Sequence, residues 1–294
     1  MRHHNPTVHL LGLIGHPIGH SVSPEMHNFW CERLQVPYRY MAFDVAPHRL
    51  SGVVPAMRTL RIRGFNVTIP HKEAIVPYLD RLEGAARILQ AVNTLVHELE
   101  SGTVIGYNTD PFGFTAALQS HGIQPTGVAI VLGAGGAACA VVFALLQYPL
   151  ERIIVFNRTV QRAVHLVEQL APLTHNTVLE AYAWDPDHID RAIRRATLLV
   201  HATPLGMVPH TEVLPVQPES LHDQLTVIDL IYNPPETALL RAARLAGART
   251  LNGLDMLIFQ GARAFELWTG VRISMELIET TRKMLQTRLS SGPH

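Results

Sequence analysis

Several features are scarce in this chain of 294 residues, and each scarcity argues against a class of protein. There are only two cysteines, Cys31 and Cys139, in no Cys-x-x-Cys arrangement, so a disulfide framework is not expected and a reducing compartment fits. Charge is balanced, with 24 basic and 24 acidic residues, and nucleic acids or acidic membranes normally select a basic excess. No run approaches the ~18 apolar residues of a membrane span, and residues 1–7 lack the apolar core of a signal peptide. We therefore expect a cytoplasmic protein with neither nucleic-acid nor membrane partner.

Histidine is abundant, with 17 residues, but it forms no metal-binding motif. His16 and His20 are four residues apart, yet Pro17 and Gly19 lie between them, so they do not share a helix face. The sequence has no His-Glu-x-x-His motif and no Cys/His cluster. We expect no metal site.

Lysine is also rare, since only two of the 24 basic residues are lysines. One of them, Lys72, lies in the loop-like stretch GFNVTIPHKE at 64–73. An ammonium can give and take a proton, whereas a guanidinium effectively cannot. A lysine retained in an arginine-rich chain therefore favours an acid–base role for Lys72, with an exposed lysine at a helix start as the simpler alternative.

Short apolar runs alternate with helix-like segments along most of the chain, which is typical of parallel α/β architecture. In the first part we predict strands at 8–14, 39–44, 63–67, 94–98 and 103–105, the last two flanking a turn at 101–102, and helices at 23–34, 47–60, 73–78, 81–89 and 111–120. A second α/β unit starts at 128, with strands at 128–132, 152–156, 177–182, 198–202, 227–230 and 249–251 and helices at 136–146, 160–170, 189–194 and 237–246. Two consecutive helices, 255–268 and 274–289, end the chain, and we expect them to pack back on the earlier domain.

A glycine-rich turn after the strand at 128–132 predicts a dinucleotide site. Gly133-x-Gly135-x-x-Ala138 follows five apolar residues and opens a helix. Glycines allow a tight turn and a close approach of backbone to pyrophosphate, and the helix N-terminus supplies oriented N–H groups. A glycine-rich turn without a ligand is the alternative. The residues expected to bind cofactor in this turn are Gly133, Ala134, Gly135, Gly136 and Ala137.

The end of the next strand indicates which dinucleotide binds. NAD sites usually carry Asp or Glu there, to bond the ribose 2′-hydroxyl. This chain has Asn157, Arg158 and Thr159, with Arg162 one helical turn later. Arginines form strong, two-pronged bonds with a 2′-phosphate. We therefore predict NADP rather than NAD, although both arginines could simply be solvated at a helix start.

A further strand ends at the sequence His201-Ala-Thr203-Pro-Leu-Gly-Met207. Because cofactors bind along the carboxyl edge of such sheets, Thr203 and Met207 could contact the ribose and the nicotinamide. Ordinary strand-exit geometry explains the same residues almost as well.

Four polar loops in the first part of the chain suit a small polyhydroxylated anion, because they offer hydroxyls, amides, one amine and one carboxylate. Each loop alone has a simpler interpretation, with Ser23 or Asp110 as the N-cap of the following helix. The loops cover residues 20–24, 66–72, 92–94 and 108–114.

In combination and in this order, the motifs closely resemble the shikimate dehydrogenase family over nearly the full length. The resemblance rests on Ser21-Val-Ser-Pro24, Asn66-Val-Thr-Ile-Pro-x-Lys72, Ala91-Val-Asn-Thr94, Asn108-Thr-Asp-x-x-Gly-Phe114, Gly133-Ala-Gly-Gly-Ala137, Asn157-Arg-Thr159, Thr203-Pro-Leu-Gly-Met207, Ile231-Tyr-Asn-Pro234 and the segment 253–260. It implies reversible NADP-dependent reduction of 3-dehydroshikimate to shikimate, a step of aromatic amino-acid biosynthesis. It also implies a two-domain α/β fold, with a substrate domain at 1–110 and 253–294 and an NADP-binding Rossmann-type domain at 111–252.

The resemblance implies a role for each matching position. Lys72 and Asp110 match the catalytic pair, and whether Lys72 donates the proton or acts only as a fixed charge stays open. Lys72 is also implied to bind substrate. The other positions implied to bind it are Ser21, Ser23 and Thr68 at the carboxylate, Asn66, Asn93, Asp110 and Gln260 at the ring hydroxyls, and Tyr232, which with Gly253 matches the junction of substrate and nicotinamide. Gln90 and Cys139 depart from the family pattern, where glycine and a polar residue are common.

Other interpretations stay open at this point. A quinate/shikimate dehydrogenase would accept a ring with one more hydroxyl and often uses NAD, whereas Ser21 with Ser23 and the Asn157-Arg158-Thr159 run favour the shikimate-specific form. A non-catalytic NADP-binding sensor would be free to lose Lys72 or Asp110, yet both are present. A fold relative acting on a folate or an amino sugar is a further alternative. The chain is expected to be a monomer or a homodimer.

Overall fold

The computed structural model describes residues 8–19 and 21–290, so His20 lies outside the described residues. The chain divides into two compact units. The first unit comprises Met1–Thr109 with Ile258–Leu285, and the second comprises Asp110–Leu257 with Gln286–His294. Among the described residues, no helix combines the length and the apolar character that crossing a bilayer requires.

A six-stranded mixed sheet forms the centre of the first unit, in the order β2-β1-β3-β5-β6-β4. β1, β2 and β3 are mutually parallel, whereas β5 runs antiparallel to both β3 and β6. The predicted hairpin at Ser101-Gly102 is confirmed, with Gly102 at φ +76°. The strands are β1 His9–Gly15, β2 Tyr38–Asp44, β3 Gly64–Val67, β4 Arg81–Leu82, β5 Thr94–His97 and β6 Val104–Tyr107.

The helices of the first unit are shorter and more broken than the sequence predicted. They are α1 Ser23–Arg33, a 3₁₀ segment Pro47–Gly52 leading into α2 Val53–Thr59, a 3₁₀ turn Val76–Tyr78, and α3 Ala85–Leu89. The predicted helix at 81–89 is wrong in its first half, because Arg81 and Leu82 form β4 beside β6. Gly84, at φ +57°, then turns the chain into α3, so a single helix cannot pass through this point.

The second unit contains an all-parallel six-stranded sheet with helices between its strands, and this confirms the predicted Rossmann-type fold. Its strand order is β12-β11-β10-β7-β8-β9. The strands are β7 Gly127–Leu132, β8 Leu150–Asn157, β9 Val178–Ala183, β10 Leu198–His201, β11 Thr226–Asp229 and β12 Arg249–Leu251. The helices are α4 Asp110–Ser120, α5 Gly136–Leu145, α6 Val160–Leu170, α7 Pro186–Ile193 and α8 Ala238–Leu245, with 3₁₀ turns at Ala171–Leu173 and Pro218–Ser220.

Two long helices end the described chain, α9 Leu254–Thr269 and α10 Met275–Ser290, and residues 258–285 belong to the first unit. Trp268 of α9 packs in a buried cluster with Leu11 and Tyr40 of the first sheet, and its indole N–H donates to the Leu95 carbonyl over 2.8 Å. Any side chain at Gly64 would collide with that indole. The prediction that the terminal helices complete the first domain is therefore confirmed.

An aromatic box in this core encloses one histidine. His27 of α1 stacks on Tyr40, with ring centroids 4.3 Å apart and planes 9° apart, and meets Trp30 edge-on at 5.0 Å. Within the described part of the chain, neither ring nitrogen has a hydrogen-bond partner, and the side chain is fully buried. Because burial penalises the charged form, it lowers the pKa of His27 from 6.5 to about 3.

This depressed pKa predicts a loss of stability in mild acid. Below pH 6.5 the unfolded chain binds a proton at residue 27 that the folded chain refuses, so the free energy of unfolding falls as the pH drops from 6.5 towards 3. The expected loss from His27 alone is about 2–3 kcal/mol at pH 4.5. Urea unfolding at pH 7 and pH 4.5 measures it, and His27→Phe, which keeps an aromatic ring against Tyr40, should show a smaller difference.

His210→Gln, at an exposed position, serves as the control and should behave like the original chain. Proton NMR provides a direct check, since the His27 imidazole should not titrate above pH 5. A His27 ring that titrates near pH 6.5 would contradict the expectation.

Candidate active site

Lys72 follows β3 in a loop that three hydrogen bonds hold. The Thr68 main-chain N–H donates to the end of β1 over 2.9 Å, and the buried His71 ring donates through Nε2 to the Val45 carbonyl over 2.6 Å. The carbonyl of Lys72 itself accepts the Val92 N–H over 2.7 Å. The backbone at Lys72 is therefore fixed by its neighbours, while the lysine side chain is half-buried.

Next to Val92, a buried network joins three of the amides that the sequence singled out. Asn66 accepts the Tyr40 phenol at Oδ1 over 2.7 Å and donates from Nδ2 to the Asn93 carbonyl over 3.1 Å. The Asn93 side chain accepts the Thr109 N–H at Oδ1 over 2.8 Å and donates from Nδ2 to Gln260 Oε1 over 3.2 Å. Because each bond fixes which end of an amide is donor and which is acceptor, the network sets the polarity of this surface.

The serine loop starts α1, and here one prediction is wrong. Ser23 is the first residue of the helix, not its N-cap, and no side chain among the described residues caps the helix. The main-chain N–H of Ser23 is instead accepted by Ser21 Oγ over 3.2 Å. This local turn satisfies an amide of the first helical turn, which would otherwise need a cap. Ser23 is buried and Ser21 half-buried.

Asp110 is the first residue of α4 and belongs to the second unit, whereas Lys72 belongs to the first. Its side chain is buried, with 5% exposed. A carboxylate in the first turn of a helix is stabilised by the free N–H groups there. The bond between Asn93 and the Thr109 N–H fixes the backbone immediately before Asp110.

The glycine turn of the second unit has the features of a phosphate cradle. Gly133 adopts φ +115°, and a Cβ there would approach the Ala202 carbonyl oxygen to 2.8 Å. Gly135 precedes α5 in extended conformation, and a Cβ at Gly135 would meet open space. With Ala134, Gly136 and Ala137 they form a turn whose helix-terminal N–H groups are free to take an anion. The residues present therefore fit a dinucleotide.

The residues after β8 provide positive charge and no carboxylate. Asn157 ends the strand and donates from Nδ2 to the Thr159 carbonyl over 2.8 Å. Arg158, Thr159 and Arg162 are exposed, and Thr159 precedes α6 without a capping bond from its hydroxyl. This arrangement leaves two guanidinium groups and a hydroxyl free to bind a 2′-phosphate.

Two more loops follow β10 and β11. Thr203 and the exposed Met207 lie in the turn after β10. Tyr232 follows β11, and burial raises the pKa of its phenol, which therefore stays a hydrogen-bond donor at neutral pH. Gly253 N–H donates to the Ile231 carbonyl over 3.0 Å, and a Cβ there would lie 1.9 Å from the Leu230 carbonyl oxygen, so only glycine fits.

Comparison with known proteins agrees with this interpretation along the chain. Three family models match, described as the shikimate dehydrogenase substrate binding domain at residues 13–95, shikimate / quinate 5-dehydrogenase at 117–231, and the shikimate 5'-dehydrogenase C-terminal domain at 253–280. The NADP(+) shikimate dehydrogenase of Methanopyrus kandleri is 46% identical over 92% of this chain and 93% of its own length. The chain belongs to the shikimate dehydrogenase family.

Solved structures of this family superpose over most of the chain. The enzyme of Thermus thermophilus in complex with NADP(H) and shikimate has a TM-score of 0.83 at 37% identity, covering 94% of this chain and 99% of that one. Quinate dehydrogenase from Corynebacterium glutamicum in complex with NAD has a TM-score of 0.85 at 30% identity, covering 95% of this chain and 99% of that one. The fold alone therefore does not separate the shikimate from the quinate enzymes.

One departure from the shikimate dehydrogenase pattern has a structural explanation. Gln90, where the family often has glycine, ends α3 in the left-handed region at φ +48°. Glycine takes this conformation freely, whereas glutamine bears a cost of about 1 kcal/mol. The Gln90 side chain donates back to the Arg87 carbonyl over 2.6 Å, which offsets part of that cost. The other departure, Cys139, is buried in α5.

Several residues that shape the site were missed by the sequence analysis. Tyr40, His71 and Thr109 orient the amides or hold the lysine loop, and His201 and Asp229 form a buried pair at the ends of β10 and β11. Thr109 stands inside a recognised motif and could have been included. The others act across the sheet, and no local spacing indicates their partners.

The two glycines of the cradle should respond differently to alanine. Gly135→Ala should leave the stability of the cofactor-free protein unchanged, because its φ of −93° suits alanine and the space is open. It should nevertheless weaken NADPH binding by about tenfold, a loss of ~1.4 kcal/mol, since the new methyl group occupies the approach to the pyrophosphate. NADPH fluorescence titration and thermal unfolding measure the two effects.

Gly133→Ala provides the contrast, because its positive φ and the nearby Ala202 carbonyl should lower stability by about 1–3 kcal/mol even without cofactor. Equal unfolding losses for the two variants, or unchanged NADPH affinity in Gly135→Ala, would contradict this account of the cradle.

Proposed function

We propose that this chain catalyses the reversible NADPH-dependent reduction of 3-dehydroshikimate to shikimate, in aromatic amino-acid biosynthesis. The observation that carries the proposal is the network of Asn66, Asn93 and Gln260 beside the lysine loop. The Val92 N–H holds the Lys72 carbonyl, and the next residue, Asn93, is the centre of the network. One amine and several oriented amides thus share one region of the first unit, which suits a ring with hydroxyls and a ketone.

The proposed substrate contacts follow the chemistry of each group. The hydroxyls of Ser21, Ser23 and Thr68 donate to the substrate carboxylate. Each hydroxyl has one O–H that can donate to a carboxylate oxygen. The ring hydroxyls are bound by Asn66, Asn93, Gln260 and Asp110, and the Tyr232 phenol donates to the substrate.

Lys72 and Asp110 are the proposed catalytic pair. Bound NADPH supplies the hydride that reduces the substrate ketone. Negative charge grows on the ketone oxygen during reduction, and the Lys72 ammonium stabilises that charge and donates the proton. The Asp110 carboxylate accepts a hydrogen bond from a ring hydroxyl, which orients the ring for the transfer.

The second unit is proposed to bind NADP. The turn of Gly133, Ala134, Gly135, Gly136 and Ala137 holds the pyrophosphate. Arg158 and Arg162, with Asn157 and Thr159, bind the 2′-phosphate. Thr203, Met207 and Gly253 border the ribose and nicotinamide.

The division into domains is part of the proposal: substrate binding by 1–110 with 253–294, and NADP binding by 111–252. The matched substrate-binding model at 13–95 supports the first assignment. We also infer a cytoplasmic location, supported by two buried cysteines that form no disulfide. A monomer or a homodimer is proposed as the assembly.

Quinate oxidation is the second candidate, and the likeness to the NAD-bound quinate dehydrogenase favours testing it. Quinate carries one hydroxyl more on a saturated ring. The paired Ser21 and Ser23 and the two arginines after β8 favour shikimate with NADP.

Absorbance at the nicotinamide band tests the function and the cofactor together. The purified protein should reduce NADP with shikimate far faster than with quinate. Arg158→Ala and Arg162→Ala should each raise the KM for NADPH by about 10–100-fold, as expected when a charged hydrogen bond worth about 1.5–3 kcal/mol is lost. The KM for NADH should barely change.

Arg191→Ala, an exposed arginine of α7, is the matched control and should leave both constants unchanged. Equal losses with NADPH and NADH would contradict the assignment of the 2′-phosphate site. Faster turnover with quinate would move the conclusion to the second candidate.

The role of Lys72 can be tested with the only other lysine as control. Lys72→Met should lower kcat by about 10²–10⁴ while shikimate affinity changes little, because the interaction forms mainly in the transition state. Lys72→Arg should be almost as slow, since it keeps the charge but cannot donate the proton. Steady-state kinetics and shikimate binding provide both values.

Lys283→Met, on the exposed face of α10, should retain full activity. Asp110→Asn should damage both turnover and binding, because one carboxylate serves both. An active Lys72→Arg would reduce Lys72 to a fixed charge, and a normal Lys72→Met would end the catalytic assignment.

A further inference from the structure

A buried chain of polar side chains links the two loops that follow β10 and β11. The His201 ring bonds through Nδ1 to Asp229 Oδ1 over 3.0 Å and through Nε2 to Thr203 Oγ1 over 2.5 Å. Asp229 Oδ2 accepts the hydroxyl of Thr237, the residue before α8, over 2.7 Å. Both His201 and Asp229 are completely buried, and the sequence motifs gave neither of them a role.

The hydrogen bonds among these buried side chains indicate which of their atoms are donors and which are acceptors. Asp229 also accepts the Ile231 N–H at Oδ1 over 3.1 Å. A carboxylate can only accept hydrogen bonds, at both of its oxygens. His201 must therefore donate from Nδ1. In the neutral ring Nε2 is then an acceptor, and the short bond to Thr203 is made by the threonine hydroxyl proton.

This direction of the hydroxyl determines what Thr203 can offer to a ligand. Its proton points to His201, and its oxygen already accepts the Leu205 N–H over 3.2 Å. One lone pair remains, so Thr203 can accept a hydrogen bond but cannot donate one. A ribose hydroxyl or a carboxamide N–H can donate to it, whereas a phosphate oxygen cannot.

We propose that His201 is a positioning residue for the cofactor: it orients the Thr203 hydroxyl so that Thr203 accepts a hydrogen bond from a donor group of the dinucleotide, a ribose hydroxyl or the carboxamide. The inference rests on the proposed NADP-dependent function. Through Asp229 the same ring is tied to the Ile231 main chain, whose carbonyl accepts the Gly253 N–H. One imidazole thus connects the turn after β10 with the turn that carries Tyr232.

The test is a double-mutant cycle on NADPH binding, read by fluorescence titration of the full chain. Thr203→Val removes the hydroxyl and keeps the shape, and should raise the Kd by about tenfold. His201→Asn keeps a donor for the buried Asp229 but does not reach Thr203, and should raise the Kd by a similar factor. The double variant should be no weaker than either single variant, because both remove the same bond.

Three further measurements separate positioning from general damage. Thr203→Ser should bind NADPH like the original chain. His222→Leu, a half-buried histidine of the same unit bonded to the Ile193 carbonyl, should leave the Kd unchanged. In Thr203→Val and in His201→Asn the KM for NADPH should rise, whereas the KM for shikimate should stay the same.

Long-range ¹H–¹⁵N NMR of the folded chain, assigned with His201→Asn, should show His201 neutral and protonated at Nδ1. Additive losses in the cycle, or a ring protonated at Nε2, would overturn the inference while leaving the proposed reaction intact. Failure to turn over shikimate despite normal NADPH binding and a coupled cycle would instead overturn the proposed function and keep the positioning role. A chain that does not bind NADPH at all would end both.

Discussion

The orientation of one buried amide, the Asn93 side chain, determines which hydrogen-bonding groups the first unit offers to a ligand. Asn93 accepts the Thr109 N–H and donates to Gln260, while its own carbonyl accepts from Asn66. These bonds join β3, the residue before β5, the residue before α4, and α9. A buried amide left unpaired costs about 1–3 kcal/mol, so each bond that holds Asn93 also excludes the flipped arrangement. The chemical pattern offered to a ligand is therefore a consequence of packing far along the chain, at residue 260.

Much of this arrangement could be predicted because it is local. The glycine turn and the strand–helix alternation of the second unit follow from spacing alone, and the Asn157-Arg158-Thr159 run lies where the next strand ends. One error arose where a neighbour in space overrode the local signal, and the other arose within the serine loop itself. Arg81 and Leu82 were predicted as helix, yet they pair with β6 before Gly84 turns the chain. Ser23 was predicted as an N-cap, yet Ser21 takes its N–H and lets the helix begin one residue earlier.

The residues that hold the functional groups are harder to find than the groups themselves. Tyr40 lies in β2, 26 positions before the Asn66 amide that it orients, and Val45 holds His71 across the same distance in sequence. Nothing in the sequence of residues 38–45 indicates either bond. A family resemblance carries over the residues that touch a ligand, whereas only coordinates show which ordinary tyrosine or valine carbonyl decides where they point.

The two units position the groups of their candidate sites by different means. In the first, amides and a phenol form a network, and burial raises the pKa of that phenol, Tyr40, well above its ordinary value, so Tyr40 stays a hydrogen-bond donor across the physiological range. In the second, Gly133 at positive φ and Gly135 in extended conformation shape the cradle, and an imidazole and a carboxylate link the loops. The pyrophosphate of a dinucleotide must come close to the protein backbone, so the turn that binds it needs glycines, which have no side chain. A polyhydroxylated ring needs donors and acceptors in fixed positions, and hydrogen bonds from neighbouring residues hold the amides that supply them.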